Sequence, residues 1–498
     1  MRLRILLFFM SCSWSLSSLA ADPPVFKISI YSYPQTLEPQ KQSSSVSYLF
    51  QNIFRNLFIY EGNGVLKPDM AKSCIRKSKG LVLQCTLRKD LHWSNGEKIT
   101  AQDFVETYRR ILDPANKSQR PDFLFPVKNA KAVFEGQKKP ETLGIKATSS
   151  CDLQFELNEK DEEFDYNLST FYLSPIKGTY DLKAGATFLT NGPYKIKSWK
   201  PAESISVTSN TFYPGPATRP EIDFLTIEED SVSLRLYDKK ELHFVRRLPT
   251  LLISKYQDRK DFFSLPVLRF DYLAFGPELK DLPEVRNALA SSLDFKEWQT
   301  LLASVGRPGC PGFPIEWTKP QRPCLQTEAV TKPSLKMNWI YYYSLQGGDD
   351  HRRTAEWLQS QWKKNLSLDF KVRGVENKTY VSELKKNPPT VFRKGLSPDR
   401  PTCAGIMENF TSLHPENYLQ NKNAEFDLVV QQMRQTSDQS KKNKLCRKAL
   451  DFLLDDVKLI PTGPYHISLL ASPEFTGWHL NELNQLDLNQ LQFVGLKK

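Results

Sequence analysis

The chain has 498 residues, 40% hydrophobic and 25% charged, which is enough apolar material for more than one core and implies two or three domains. Its formal net charge of +12 comes from basic residues interleaved with acids, without a run of five consecutive cations. That pattern excludes a nucleic-acid-binding tract and describes a solvated basic surface.

Taken in chain order, the first element is a leader. Arg2 and Arg4 precede the apolar run Ile5 to Met10, and Ser18-Leu19-Ala20 precedes Ala21, the order of a secretory signal peptide cleaved after Ala20. The run is too short for the ~20 residues a membrane-spanning helix needs. Cys12 offers a second route, lipid attachment, but Phe9-Met10-Ser11 is a poor context for it. Loss of two arginines and no acids takes the formal charge from +12 to +10.

Seven of the eight cysteines lie beyond the leader, and export permits disulfides. A two-residue turn at Lys79-Gly80 would pair 78 with 81 and, counting outward, place Cys74 opposite Cys85. Cys310 with Cys324 and Cys403 with Cys446 are further pairings, which leave Cys151 alone; spacing does not fix the connectivity.

From Val25 onward strands and helices alternate, which predicts an α/β fold. Asn95-Gly96 marks a turn. Thr100 then caps a helix, with Asp103 in the capping-box position and Ile99 stapled to Phe104. Phe104, Tyr108, Ile111 and Leu112 form its apolar stripe, and Asp113-Pro114 stops it. Beyond Asn191-Gly192, PYKIKSW and SISVTSN read as two strands around a turn at Lys200 to Glu203.

A βαβ unit follows: strand Leu335 to Tyr343, helix Asp350 to Asn365 and strand Leu368 to Val372, the helix burying Ala355, Leu358, Trp362 and Leu366. A helix over Asn377 to Lys386 leads to a strand at Thr390 to Phe392 and then to the loop RKGLSPDRPTCAG. Ligands of open α/β sheets bind beyond strand carboxyl ends, so Arg393 and Asp399 occupy a ligand's position.

Motifs for catalysis and metal binding are missing. The histidines (His92, His243, His351, His414, His466 and His479) are scattered, with no H-E-x-x-H or C-x-x-C arrangement, and no nucleophile elbow or P-loop occurs. The glycines of GNG at Gly62 and GRPGCPG at Gly306 read as turns. No enzyme activity, cofactor or metal is expected.

Several motifs carry a resemblance. Leu87, Arg88, Trp93, Ser94, Gly96, Thr100, Ala101, Asp103 and Phe104 match L-R-x-x-x-x-W-S-x-G-x-x-x-T-A-x-D-F, and NGPYKIKSW and EVRNALASSLDFKEW resemble G-P-Y-x-x-x-x-W and V-R-x-A-L-x-x-A-I-D. ENKTY at Glu376, EFDLVV at Glu425 and VKLIP at Val457 add weaker matches. In these residues the chain resembles the family 5 solute-binding proteins, the oligopeptide- and dipeptide-binding components of ATP-driven (ABC) importers.

The resemblance implies a periplasmic binding protein-like fold of type II (cluster C), two lobes on a hinge with a smaller inserted domain. The expected division is 21–62, 185–270 and 466–498 for lobe I, 63–184 for the insert and 271–465 for lobe II. It further implies a periplasmic monomer whose partners are a peptide ligand and inner-membrane permease subunits. Asp399 matches the aspartate that binds the peptide α-amino group, and Arg393 the arginine suited to a ligand carboxylate, with a surface or inter-lobe ion pair as its alternative.

Departures from the pattern are Leu396 for a tryptophan, Arg400 for a tyrosine and Arg55-Asn56 for E-G, which suit a narrower or more cationic pocket and a short or acidic ligand. Tyr31, Tyr33, Trp339 and Tyr341 are candidates to line the cleft or to fill the core. The competing functions are capture of a non-peptide solute such as haem or a nickel chelate, and a non-transport envelope protein, whether hydrolase or chaperone-like.

Overall fold

The computed structural model describes residues 24–34, 36–42, 46–178, 180, 188–200, 202–216, 218–303, 337–345, 348–455 and 457–495. The leader with Cys12, the Cys310–Cys324 pairing and the turn at Gly306 lie outside the described residues. Among the described residues no helix is long and apolar enough to cross a membrane.

We number the strands of the large sheet in chain order: β1 Phe26–Ile30, β2 Tyr194–Lys200, β3 Ser204–Ser209, β4 Ile222–Thr226, β5 Phe244–Val245, β6 Phe262–Phe275, β7 Ile340–Ser344, β8 Lys371–Val375, β9 Val391–Leu396 and β10 Leu459–Ala471. They lie in the order β8-β7-β9-β6-β10-β5-β1-β4-β3-β2. β1 is parallel to β4 and β5, and β7 is parallel to β8 and β9. Two parallel groups therefore flank the antiparallel pair β6/β10, the strands common to both lobes.

That pair is long for a globular protein, 14 and 13 residues. One end of β10 hydrogen-bonds to β5, whereas the far end of β6 bonds to β9. Their register is irregular between Val267 and Tyr272, where the chain passes from one lobe to the other.

Each lobe has its own core. Phe26, Ile28 and Ile30 alternate toward a cluster that includes Phe50, Phe224, Leu469 and Leu488. On the other side of the β6/β10 crossing two clusters cover the two faces of the β7–β9 sheet. The helix Gly348–Leu366 buries Ala355, Leu358, Trp362 and Leu366 there, the stripe predicted from its spacing, and Trp362 Nε1 donates to the Leu289 carbonyl at 3.0 Å.

A separate four-stranded sheet, ordered 71–77, 82–87, 152–156 and 145–147, carries the core from Leu57 to Leu173. The helix Ala101–Ile111 packs Phe104, Tyr108 and Ile111 into that core, and Asp103 Oδ2 accepts the Thr100 backbone N–H at 2.7 Å. Cys74 pairs across from Cys85 and is bonded to it, as the turn register required; Cys403 is bonded to Cys446, and Cys151 is free.

The strand expected at Leu335 to Tyr343 pairs over Ile340–Ser344 and the helix expected at Asp350 to Asn365 spans Gly348–Leu366; two further boundary differences bear on the site. The strand expected at Leu368 to Val372 runs over Lys371–Val375, because Ser367 turns left-handed (φ 61°) and Leu368 and Phe370 plug the core before pairing begins. The strand expected to end at Phe392 continues to Leu396, because β6 offers it a second edge from Phe270 to Phe275. Arg393 therefore lies in a strand, not in the loop. Gly395 fits there because a Cβ would meet Arg269 Nη2 and Asp271 Oδ1 at 2.6 Å.

Candidate ligand cleft between the two parallel sheets

The carboxyl ends of both parallel groups abut the β6/β10 crossing. In the first lobe β1 delivers Tyr31 and β5 delivers Arg246 and Arg247. Arg246 stacks on the Tyr31 ring at 2.9 Å, and its Nη2 donates to the Ile227 carbonyl at 2.9 Å. Asp230 serves both arginines, lying 3.5 Å from Arg246 and 2.7 Å from Arg247. Burial raises the Tyr31 phenol, Asp230 adds to the rise, and the two guanidiniums oppose it.

In the second lobe Asp271, 1% exposed, accepts from Arg269 Nε at 3.0 Å and from Arg393 Nη2. Tyr380 Oη donates to the Arg393 carbonyl, which fixes the strand beneath the guanidinium. His351, near the start of the helix that follows β7, places Nδ1 2.8 Å from the Ser344 carbonyl, so that nitrogen is the donor. Burial first, and then the nearby Arg393, push this imidazole down to about 2. Lys394 lies 4.4 Å over the Tyr418 ring; burial lowers its ammonium, Glu416 opposes this, and Arg269 reinforces it.

A belt of charges closes the edge between the four-stranded sheet's domain and the second lobe. Arg120 holds both oxygens of Asp399 at 2.9 and 2.8 Å, donates to Asp122 as well, and stacks over Phe123 at 3.8 Å. Arg400 pairs with Glu408 and lies 3.8 Å from Glu163, which also accepts from Thr402 Oγ1 at 2.7 Å. Arg434 pairs with Asp161 while its carbonyl accepts the Glu162 N–H at 2.8 Å, and Gln435 donates to Glu159 at 2.8 Å.

Of the residues singled out in the sequence, Tyr31 and Arg393 stand at this convergence of strand ends, and Asp399 stands on the charged belt. Others are corrected. Trp339 and Tyr341 do not line a cleft: they are 5% and 0% exposed and pack on Phe370 and Trp362, because Tyr341 lies on β7, which is paired on both sides, Trp339 immediately precedes it, and the long helix covers that face. Leu396 is buried in the core of the opposite face. Arg55 is held inside the first lobe by Asp487 at 2.7 Å with Asp69 at 3.9 Å, beside a small cavity. Arg400 belongs to the belt, and Tyr33 is half-buried, its ring 5.6 Å from that of Trp199.

Missed in the sequence were Arg246, Arg247, Arg269, His351 and Lys394. Arg246 and Arg247 immediately follow a strand, the signal that drew attention to Arg393, but a two-residue strand leaves no periodicity to read. Among the described residues no cluster of metal-ligating side chains occurs.

The profile of bacterial extracellular solute-binding proteins, family 5 Middle, matches residues 65–417. The oligopeptide-binding protein OppA of Bacillus subtilis is 25% identical over 477 residues, covering 87% of this chain and 86% of that one. The probable deoxycholate-binding periplasmic protein YgiS of Escherichia coli is 25% identical over 522 residues, 96% of each. The solved Escherichia coli murein tripeptide binding protein MppA superimposes with a TM-score of 0.78 at 22% identity over 95% of this chain and 99% of that one, which shows a shared fold.

Proposed function

This chain belongs to the bacterial extracellular solute-binding proteins of family 5, and from that premise we propose that it captures peptides between its two lobes in the periplasm and hands them to the permease of an ATP-driven importer. In this reading the leader is cleaved after Ala20, the lobes are 21–62, 185–270 and 466–498 against 271–465, and 63–184 is the insert. The protein binds its cargo and releases it chemically unchanged.

The observation that carries the reading is the pair of long strands, β6 and β10, between two sets of strand ends that bear aromatic and charged side chains. Rotation about the irregular register at Val267 to Tyr272 opens and closes the space between them. A general peptide receptor must grip what all peptides share, the main chain and the two terminal charges. Arg393 is our candidate for a carboxylate, presented by Asp271 and Tyr380. Asp399 is our candidate for the α-ammonium, which would take the place of Arg120.

The relatives support peptide cargo through the oligopeptide-binding OppA and through MppA, the periplasmic murein peptide-binding protein. YgiS, matched over nearly the whole chain, favours a second reading in which a non-peptide organic acid is the cargo. Native mass spectrometry of the protein isolated from its own envelope separates the two. A spread of di- to oligopeptide masses is the expected result, and one discrete non-peptide mass would replace the first reading by the second.

A further inference from the structure

We propose that this chain prefers acidic peptides, a cargo side-chain carboxylate being held between Arg246 and Arg247 on one lobe, Arg269 at the β6/β10 crossing and Lys394 on the other lobe. The inference rests on the peptide-capture reading and adds the charge class of the cargo to it.

Even with Glu416 near Lys394 included, the carboxylates around the crossing are fewer than the cations beside them. Asp230 is divided between Arg246 and Arg247, and Asp271 between Arg269 and Arg393. Lys394 makes no ion pair within 4 Å among the described residues and rests on an aromatic face instead. Positive charge is thus in excess at the place where the two sets of strand ends meet, and like charges on partly buried side chains repel more strongly than in water.

Two details separate this excess from an ordinary basic surface. The Arg246 side chain is only 4% exposed, and both its Nε and its Nη1 are buried without a hydrogen-bond partner, an arrangement that costs free energy unless an acceptor arrives. Arg247 and Arg269 remain 40% and 36% exposed beside it, so the guanidinium planes of neighbouring arginines stay open to a ligand. A carboxylate accepts from such forks bidentately, and its charge offsets the local repulsion at the same time. Burial disfavours the Lys394 ammonium, Glu416 offsets this only in part and Arg269 reinforces it, so an added anion would relieve that too.

Titration calorimetry of the mature chain with Ala-Glu-Ala, Ala-Gln-Ala and Ala-Lys-Ala tests this, because the three share length and termini and differ in one side-chain charge. The Glu peptide is expected to bind at least tenfold tighter than the Gln peptide, the Lys peptide weakest, and the Glu advantage should shrink between 50 and 300 mM salt. Lys394→Gln and Arg269→Gln should each bring the Glu-to-Gln ratio below threefold. The salt series needs no variant, so it decides the matter even where a substitution fails to fold. Equal binding of all three peptides, or a preference for Lys, overturns the acidic preference and leaves peptide capture intact. A Glu preference that survives both substitutions overturns the assignment to these side chains. Binding of none of the three overturns the peptide reading itself, and this inference with it.

Discussion

Asp399 is half exposed and already engaged, which changes what its substitution should do. If a cargo ammonium displaces Arg120 from this carboxylate, Asp399→Asn removes a charge-assisted contact and should weaken peptide binding by about 1.5–3 kcal/mol. Arg120→Ala removes the competitor and should tighten it. A purely structural strut between the domains predicts instead that both changes weaken binding, so calorimetry on the pair discriminates. His351 offers a second test. Its folded-state pKa of about 2 lies below the ordinary histidine value near 6.5. As pH falls below 6.5 the unfolded chain takes up a proton that the folded chain refuses, and stability drops by up to about 1.4 kcal/mol per pH unit until the folded value is reached. His351→Gln should flatten that decline. Parallel urea midpoints for the two proteins from pH 7 to pH 5 would show that the imidazole does not report its burial. Neither behaviour is visible in the sequence, because a charge's partner lies at a distance of tens or hundreds of positions: Arg120 and Asp399 are 279 residues apart, and Arg393 and Asp271 are 122 apart.

Elements governed by local chemistry were legible. The Thr100 cap, the turn that registers Cys74 on Cys85, the hairpin at Lys200 to Glu203 and the buried stripe of the long helix each depend on residues a few positions apart, and each appears in the structure. Where a neighbour supplied by distant sequence decides the outcome, the reading fell short. β9 reads as three residues alone and becomes six when β6 lies alongside it, and that extension moves Arg393 from a loop into a buried ion pair. Trp339 and Tyr341 carry the composition of either a cleft wall or a core, and only the position of the helix Gly348–Leu366 decides for the core. One prediction belongs at this scale. Cys403–Cys446 ties the short helix Cys403–Met407, next to Arg400, to the helix Gln439–Leu454. The double substitution to serine opens a constraint between positions 43 apart and should cost about 2–4 kcal/mol. It is measured as a lower denaturation midpoint of the variant than of the wild type without reductant, a difference that reductant should abolish because it leaves both proteins without this bond.

At the scale of the molecule, ion pairs such as Arg400–Glu163 and Arg434–Asp161 tie the four-stranded sheet's domain to the second lobe, whereas the cores inside each part are apolar. That contrast suits a hinge, since opening exposes groups that water solvates well and leaves the cores undisturbed. Asp161 is the most deeply placed of these groups, 1% exposed; burial opposes its charge, but Arg434 and Arg400 outweigh burial and hold its carboxyl below the usual aspartate range. Its contribution is therefore present above an unfolded value near 3.9 and lost as pH falls through the lower folded value. Replacing Arg434 with Gln strips Asp161 of its nearest cation. The chain can avoid a buried, poorly compensated carboxylate by opening, so the free energy is lost from the closed form and not from the folded lobes. Arg434→Gln should melt close to the wild type, give a larger radius of gyration by small-angle scattering in the absence of cargo, and bind peptide at least tenfold more weakly. Saturating peptide should restore the wild-type radius, because binding to the closed form draws the equilibrium back. A variant that keeps the compact radius without cargo would assign Arg434 to the stability of its own lobe and remove it from the closure of the cleft.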